Sequence, residues 1–96
     1  MIVSFGDAAT DDPYHRRVTA RARRFPTEIR KSASRRLDML HVAGRLSDLA
    51  SSPGNRLETL SGDLRGFHSI RVNDQWRVVF RWTSLGPAGV RVRDYH

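Results

Sequence analysis

The chain has 96 residues, of which 39% are hydrophobic and 28% are charged, a balance typical of a folded globular protein. No apolar run approaches the roughly 18 residues of a membrane-spanning helix, and the first residues lack the basic and apolar regions of a secretory signal. The absence of cysteine excludes disulfides and thiolate metal sites. We therefore expect a single small domain, residues 1–96, in a reducing cytoplasm, with no membrane partner.

The charge of the chain predicts a polyanionic partner. Lysine and arginine number 17 against 10 acidic residues, which gives a net charge of +7. Every basic residue except Lys31 is an arginine, and the planar guanidinium binds phosphate through paired hydrogen bonds and stacks on bases. A gene rich in G and C would also favour arginine, so the positions of the arginines carry more information than their number.

The first half of the sequence predicts one strand followed by helices. Ile2–Phe5 alternates as a strand does, and Asp12–Ala20 has the cap and the early proline of a short helix. Thr27 is predicted to cap a longer helix that ends near Val42. Its apolar residues recur at spacings of three and four, which predicts one buried stripe. These residues are Ile29, Ala33, Leu37 and Leu40.

Beyond Asn55 the hydrophobic period changes from helical to two, which predicts strands. The predicted strands are Leu57–Leu60, His68–Val72, Trp76–Trp82 and Gly89–Tyr95. A short turn at Asn73-Asp74 requires antiparallel pairing of the strands on either side. We therefore predict an α+β fold, in which the N-terminal helices pack on one face of a small antiparallel sheet.

The two faces of the predicted sheet differ in chemistry. Trp76, Val78, Phe80 and Trp82 share the face that is expected to pack against the helices. Five arginines without acidic neighbours are expected on the opposite face: Arg71, Arg77, Arg81, Arg91 and Arg93. A solvated surface is the alternative explanation for any single arginine. Five arginines on one face favour a groove for nucleic acid.

The final residues, Asp94-Tyr95-His96, are three side chains that can exchange protons. Their ordinary pKa values, about 4, about 10 and about 6.5, cover acid, base and orienting roles without a metal ion. The four histidines are scattered along the sequence, so no compact cluster of metal ligands is predicted. We interpret the segment as a catalytic tail, and an inert surface tail is the alternative.

Several blocks of the sequence together resemble the HigB toxins of the RelE/ParE superfamily. These blocks are Leu57–Asp63, Ser69–Arg77, Phe80–Trp82 and Asp94–His96. The likeness extends through the opening strand and the long helix, and therefore covers nearly the whole chain. It implies a RelE/ParE-like microbial RNase fold and a bacterial, cytoplasmic toxin of a type II toxin–antitoxin pair.

The resemblance also implies an activity and its partners. The expected activity is a ribosome-dependent mRNA endonuclease that cuts the message in the ribosomal A site and uses no metal or other cofactor. The expected partners are the 70S ribosome, mRNA and a HigA-like helix-turn-helix antitoxin. The free toxin is expected to be a monomer, and a dimeric antitoxin is expected to bind two copies in a heterotetramer.

The resemblance assigns roles to individual residues. Arg77 matches the strand arginine of the family, which implies that it stabilises negative charge on the scissile phosphate. The catalytic motif of the family matches Asp94 for orientation or base work, Tyr95 for positioning and His96 for proton transfer, with acid and base left open. Phosphate contacts are expected from Arg65, Arg71, Arg81, Arg91 and Arg93.

Two positions depart from the family pattern. Ser61 stands where many members carry lysine, and Glu58 stands where some carry histidine. Another cation, Arg56, Arg65 or Arg71, replaces the lysine, or the toxin is weak or reads RNA differently. Glu58 is either a substitute base or a structural carboxylate. The alternative functions are a ParE-like inhibitor of DNA gyrase that cleaves nothing, and a weakened toxin retained as the partner of its antitoxin.

Overall fold

The computed structural model describes residues 1–6 and 25–94, except for the side chain of Pro53. Two α-helices, α1 (Thr27–Val42) and α2 (Leu46–Ala50), precede the sheet. The strands are β1 (Glu58–Thr59), β2 (Phe67–Arg71), β3 (Trp76–Thr83) and β4 (Gly86–Asp94). Short 3₁₀ turns occupy Pro53–Asn55 and Gly62–Leu64. The helix predicted at residues 12–20, and residues 95 and 96, lie outside the described part of the chain.

Helix α1 ends where the sequence predicts, and it buries the predicted stripe. The buried residues are Ile29, Ala33, Leu37 and Leu40. The prediction that Thr27 is the cap is wrong, because Pro26 occupies that position with an extended ψ of 141° and Thr27 is the first helical residue. At the sheet, Nε of Arg36 donates a hydrogen bond of 2.8 Å to the main-chain oxygen of Arg71. This bond ties α1 to the end of β2.

The sheet has the order β1-β2-β3-β4, and every neighbouring pair is antiparallel. The α+β prediction is therefore confirmed. The β2–β3 connection is held by Asn73, whose Oδ1 accepts hydrogen bonds from the main-chain N–H groups of Gln75 and Trp76 at 2.9 and 2.7 Å. An asparagine side chain that bonds the backbone two and three residues ahead is typical of a tight turn.

The predicted first strand is present only as an extended segment beside β4. Phe5 forms a single parallel bridge with Val90. The N–H of Val3 donates to the oxygen of Pro87 at 2.8 Å, and the N–H of Val90 donates to the oxygen of Ser4 at 3.1 Å. The N-terminal residues therefore cover part of the outer edge of β4 and satisfy its main-chain groups there.

One hydrophobic core lies between α1 and the sheet. From α1 it takes the buried stripe, and from the strands it takes every second residue, as the two-residue period predicts. The strand residues are Ile70, Val72, Val78, Phe80, Val90 and Val92, with Trp76 and Trp82 partly buried against them. The ring of Trp76 meets that of Phe25 edge to face, with centroids 5.7 Å apart. The aromatic face of β3 therefore belongs to the core, as predicted.

A β-bulge lies in β4, which begins at Gly86 and not at the predicted Gly89. Val79 pairs with Arg91, whereas Arg81 pairs with Ala88, so one residue of β3, Phe80, opposes two of β4, Gly89 and Val90. Gly89 lies within the extra segment and has a φ of 61°, a conformation that favours glycine. Arg91 lies on the same face as Arg81 because it pairs with Val79, although the alternation of β4 is interrupted at the bulge.

Candidate nucleic-acid interface

A row of three arginines crosses the sheet on the face that points away from α1. Arg71 of β2 lies opposite Arg77 of β3, and Arg77 in turn lies opposite Arg93 of β4. These residues alternate with Ile70, Val78 and Val92 of the core, so strand geometry places their side chains on the outer face. The prediction that these three arginines share one face of the sheet is confirmed.

Arg77 is the most enclosed member of the row. It is only 9% exposed. Its Nε donates a 2.8 Å hydrogen bond to Oγ of Ser69, and its Nη2 donates a 2.7 Å bond to the main-chain oxygen of Arg56. Both Ser69 and Val79, its neighbours on this face, are fully buried. The guanidinium of Arg77 is therefore held in one orientation, and the alternative of a solvated side chain does not apply to this arginine.

The main chain at Arg56 is unusual. Arg56 has a φ of 45°, the one positive value among the non-glycine residues in the described part of the chain. A non-glycine residue in this region costs on the order of 1–2 kcal/mol, and such residues concentrate where the surrounding structure requires them. Here the conformation accompanies the bond from Arg77. Sequence reasoning assigned Arg56 only a cationic side chain and missed the role of its carbonyl oxygen.

Acidic residues do lie beside the arginine row, so the prediction of five arginines without acidic neighbours is wrong. The carboxylate of Glu58 is 4.0 Å from Nη2 of Arg77, and the carboxylate of Asp74 forms a short ion pair with Arg71. Glu58 lies near the row because β1 pairs with β2, and Asp74 lies near it because it belongs to the β2–β3 turn. Both contacts depend on pairings that the sequence pattern did not specify.

The remaining cations of the face differ in their surroundings. Arg81 and Arg93 are exposed, and Arg91 is half-buried. Arg65 lies apart from the strand rows, exposed at the end of the 3₁₀ turn that follows Ser61, and its N–H donates to the oxygen of Gly62 at 3.1 Å. Of the five arginines predicted to contact phosphate, four therefore lie on the sheet, on the same face as Arg77. The fifth, Arg65, lies on a neighbouring turn.

Asp94 is the last described residue of β4, where it pairs with Trp76. Strand alternation gives it the parity of Val92, on the side opposite Arg77. Its Oδ2 accepts a 3.0 Å hydrogen bond from Nε2 of Gln75, a residue of the β2–β3 turn. The described residues therefore place Asp94 and Arg77 around the same end of the sheet but not in contact. Sequence reasoning did not single out Gln75.

Other potential ligands are dispersed. Within residues 1–6 and 25–94, no group of three or more histidine, aspartate or glutamate side chains could hold a metal ion. His68 is half-buried, and its Nδ1 lies 3.1 Å from Oγ1 of Thr59. The helices in this part of the chain are too short or too polar to cross a membrane.

Comparison with known proteins identifies relatives along most of the chain. Residues 4–96 match the family model described as the RelE-like toxin of the type II toxin–antitoxin system HigB. Toxin HigB-1 of Vibrio cholerae serotype O1 is 43% identical over 85 residues, which are 88% of this chain and 78% of that protein. An uncharacterised protein of Haemophilus influenzae is 36% identical over 59 residues, 62% of this chain and 58% of its own.

The fold has a solved counterpart. A chain of the YoeB-YefM complex from Staphylococcus aureus superposes with a TM-score of 0.61. The match covers 100% of this chain and 98% of that one, at 17% sequence identity. The likeness at this level of identity concerns the fold, and it agrees with the helix packed on a four-stranded antiparallel sheet.

Proposed function

Because the chain belongs to the HigB-like family of RelE-like toxins from type II toxin–antitoxin systems, we propose that it is an endoribonuclease that cleaves mRNA in the ribosomal A site. The observation that carries this proposal is the row formed by Arg71, Arg77 and Arg93 across three strands. Guanidiniums gathered on one face attract the phosphate backbone of a nucleic acid, and hydrogen bonds to phosphates position a protein on its substrate.

The proposed reaction uses the ribose 2′-OH as its nucleophile. The 2′ oxygen loses its proton and attacks the adjacent phosphorus, while the bond from phosphorus to the 5′ oxygen of the next nucleotide breaks. The products are a 2′,3′-cyclic phosphate and a 5′-hydroxyl end, so no water is consumed in this step. One side chain must accept the first proton and another must supply the proton of the leaving oxygen. No metal ion is required in this scheme.

Arg77 is proposed to stabilise the negative charge that develops on the phosphate oxygens. Hydrogen bonds to Ser69 and to the Arg56 carbonyl fix the guanidinium before the substrate arrives. A donor that is already oriented stabilises a transition state without a further cost of reorganisation.

The C-terminal residues are proposed to carry the protons. His96 is assigned proton transfer, Tyr95 positioning, and Asp94 orientation or base work. The hydrogen bond from Gln75 to Asp94 fixes the residue that directly precedes the other two in sequence. Arg65 is proposed to take the part of the lysine that is absent at Ser61, because it ends the same 3₁₀ turn that Ser61 begins.

The protein partners follow from the family. An antitoxin is the partner that a type II toxin requires, and we propose a HigA-like helix-turn-helix protein whose dimer binds two copies of this chain. The 70S ribosome is proposed to bind the basic sheet face through its own RNA. Because both proposed partners belong to the bacterial cytoplasm, we propose the same location for this protein.

Primer extension on a defined mRNA tests this function, with translating ribosomes present or absent. Wild-type protein is expected to produce cuts only with ribosomes, and His96→Gln is expected to abolish them. Because Arg77 is buried, Arg77→Ala is compared only after its unfolding curve shows a folded protein, and it is then expected to remove the cuts as well. Growth arrest with intact message, unchanged by His96→Gln, would contradict the proposal and favour a non-catalytic gyrase inhibitor.

A further inference from the structure

Two arginines of the outer sheet face share one aromatic ring. The guanidinium carbons of Arg81 and Arg91 each lie 5.8 Å from the centroid of the Phe67 ring. This distance falls within the roughly 6 Å over which a cation is attracted to the face of an aromatic ring. Phe67 lies directly opposite Arg81 in the β2–β3 register, on the face that points away from the core. We call Phe67, Arg81 and Arg91 the guanidinium–ring cluster.

The guanidinium–ring cluster differs from the other arginines of this face in its polar contacts. Arg71 has Asp74 as its partner, and Arg77 bonds Ser69 and the Arg56 carbonyl. In contrast, among the residues that the structure describes, the side chains of Arg81 and Arg91 have neither a hydrogen bond nor an ion pair. Nε of Arg91 is buried without any polar partner. Two like charges held against one ring without an anion favour the arrival of an anion from outside.

The backbone around the guanidinium–ring cluster is built for close approach. A Cβ placed on Gly89 would lie 3.7 Å from both Cε2 of Phe67 and Nε of Arg81, so the bulge forms the floor beneath the cluster. A Cβ placed on Gly6 would lie 3.1 Å from Cδ of Arg91. The N-terminal segment therefore packs against the aliphatic part of Arg91, which restricts where its guanidinium can go.

We propose that the guanidinium–ring cluster is a nucleotide subsite, in which the two guanidiniums bind a backbone phosphate and a base stacks on the exposed plane of Arg81. The proposal rests on the proposed function, because it assigns the site to the RNA that is cut beside Arg77. A free phosphate or a carboxylate would need only the two cations. The ring adds a reason for a base, since arginine planes and aromatic rings are the surfaces on which single-stranded bases stack.

The position of the guanidinium–ring cluster fits one continuous RNA strand. Arg77 and Arg81 are four residues apart on β3, which corresponds to about 13 Å at about 3.3 Å per residue. At about 3.4 Å per stacked nucleotide, this distance corresponds to about four nucleotides. Arg93 and Arg91 run alongside on β4. The strip from the arginine row to the cluster would therefore bind RNA on one side of the cleavage point.

Fluorescence anisotropy tests the proposal with a labelled six-nucleotide RNA whose 2′-O-methyl groups prevent cleavage. An abasic chain with the same number of phosphates serves as the second probe. Wild-type protein is expected to bind the RNA at least about fivefold more tightly than the abasic chain, because base stacking contributes in addition to charge. Arg81→Gln and Arg91→Gln are each expected to weaken both probes several-fold and to reduce the salt dependence by about 0.7 in the log–log slope.

Phe67→Leu removes the ring against which Arg81 is held for stacking and keeps both guanidinium charges, so it separates stacking from charge. It keeps an apolar side chain on the sheet and leaves the net charge unchanged. It is expected to weaken binding of the RNA by about fivefold or more, and to change binding of the abasic chain by less than about twofold. Arg35→Gln, which removes one charge from an exposed position on α1, is the control and should leave the RNA affinity near that of wild type. Unfolding curves of all variants identify any that fail to fold, and Arg81→Gln, at an exposed position, keeps the test decisive.

The outcomes separate this inference from the function on which it rests. If the cluster variants bind RNA as well as Arg35→Gln does while wild-type protein cuts message on ribosomes, the cluster proposal is overturned and the nuclease stands. If the variants lose RNA binding while wild-type protein cuts nothing, the subsite stands and the nuclease falls. Loss of affinity for the antitoxin alone, with RNA binding intact, would reassign the cluster to a protein partner and overturn the proposal.

Discussion

Nη2 of Arg77 donates a 2.7 Å hydrogen bond to the main-chain oxygen of Arg56, the residue whose φ is 45°. The strained conformation and the bond occur together, so an energetically costly backbone position accompanies the support of one side chain. That side chain is the arginine that the family resemblance assigns to the scissile phosphate. Its support comes from a loop before β1 and from Ser69 on β2, two segments that are separate in sequence.

Replacement of Arg77 by lysine is expected to destabilise the protein while it preserves the charge. An ammonium group cannot make the forked contacts to Ser69 and to the Arg56 carbonyl, and at this buried position the lost bonds leave polar groups unpaired. The free energy of unfolding, measured in urea, should fall by about 2 kcal/mol. Arg93→Lys, in the same cross-strand row but exposed, is the matched control and should change it by less than about 0.5 kcal/mol. Equal losses in both variants would refute the structural support of Arg77.

Ser69→Ala tests the same support from the other partner. Ser69 is fully buried, and its hydroxyl accepts the bond from Nε of Arg77. Removal of the hydroxyl should cost about 1–2 kcal/mol of unfolding free energy, because a charged donor loses its acceptor. Ser61→Ala, at an exposed position before the 3₁₀ turn, provides the comparison and should be nearly neutral. In a double-mutant cycle, Ser69→Ala and Arg77→Lys should show a coupling of at least about 0.5 kcal/mol, and strict additivity would count against the bond.

Gly89→Ala is expected to damage the bulge of β4. At a φ of 61° an alanine costs about 1–2 kcal/mol, even though its Cβ would have ordinary space beside Phe67. Thermal unfolding should show the loss. Gly44→Ala is the control, since the φ of Gly44 is not positive and an added Cβ would lie 3.7 Å from a carboxylate oxygen of Asp48. That variant should be neutral or slightly stabilising. A harmless Gly89→Ala would mean that the bulge does not require this conformation.

The sequence predicted the parts of this fold that depend on hydrophobic period. The buried stripe of α1 follows from spacings of three and four residues. The antiparallel strands and the inward face of β3 follow from a spacing of two, because alternate residues of a strand point to opposite faces. The bulge at Gly89 was missed because one glycine at the start of an apolar run is equally consistent with the beginning of a strand. Because of the one extra residue in β4, Arg81 pairs with Ala88, and the pattern of apolar and polar residues does not reveal this shift.

The candidate site was predictable in its residue types but not in its contacts. The shared parity of Arg71, Arg77 and Arg93 follows from alternation alone. The burial of Arg77 does not, because it depends on the positive φ of Arg56 and on the approach of β1. Such contacts join positions that are about 20 residues apart, and no local pattern encodes them. The roles of residues 95 and 96 stay predictions from the family resemblance.

Leu40→Ala is expected to give the largest loss of stability among the core variants of α1. Leu40 is fully buried in the cluster between α1 and the sheet. Its truncation removes buried methyl groups and leaves a cavity, a combination that typically costs about 2–5 kcal/mol. Val42→Ala, two residues further along the helix and 79% exposed, should cost less than about 0.5 kcal/mol. Urea unfolding of both variants tests the assignment of the buried stripe, and similar values would contradict it.

The hydrogen bond from Gln75 to Asp94 predicts a catalytic effect of a residue outside the proposed catalytic set. Gln75→Glu would place a second carboxylate beside Asp94, which repels it and displaces the end of β4. Because a displacement of a catalytic group by a fraction of an ångström slows a reaction, single-turnover cleavage of ribosome-bound message should fall about tenfold. Ser84→Glu, which adds the same charge at an exposed position of the β3–β4 turn, should leave the rate unchanged. Both variants should unfold at nearly the temperature of wild type, since both positions are exposed. An unchanged rate in Gln75→Glu would show that the position of Asp94 does not limit cleavage.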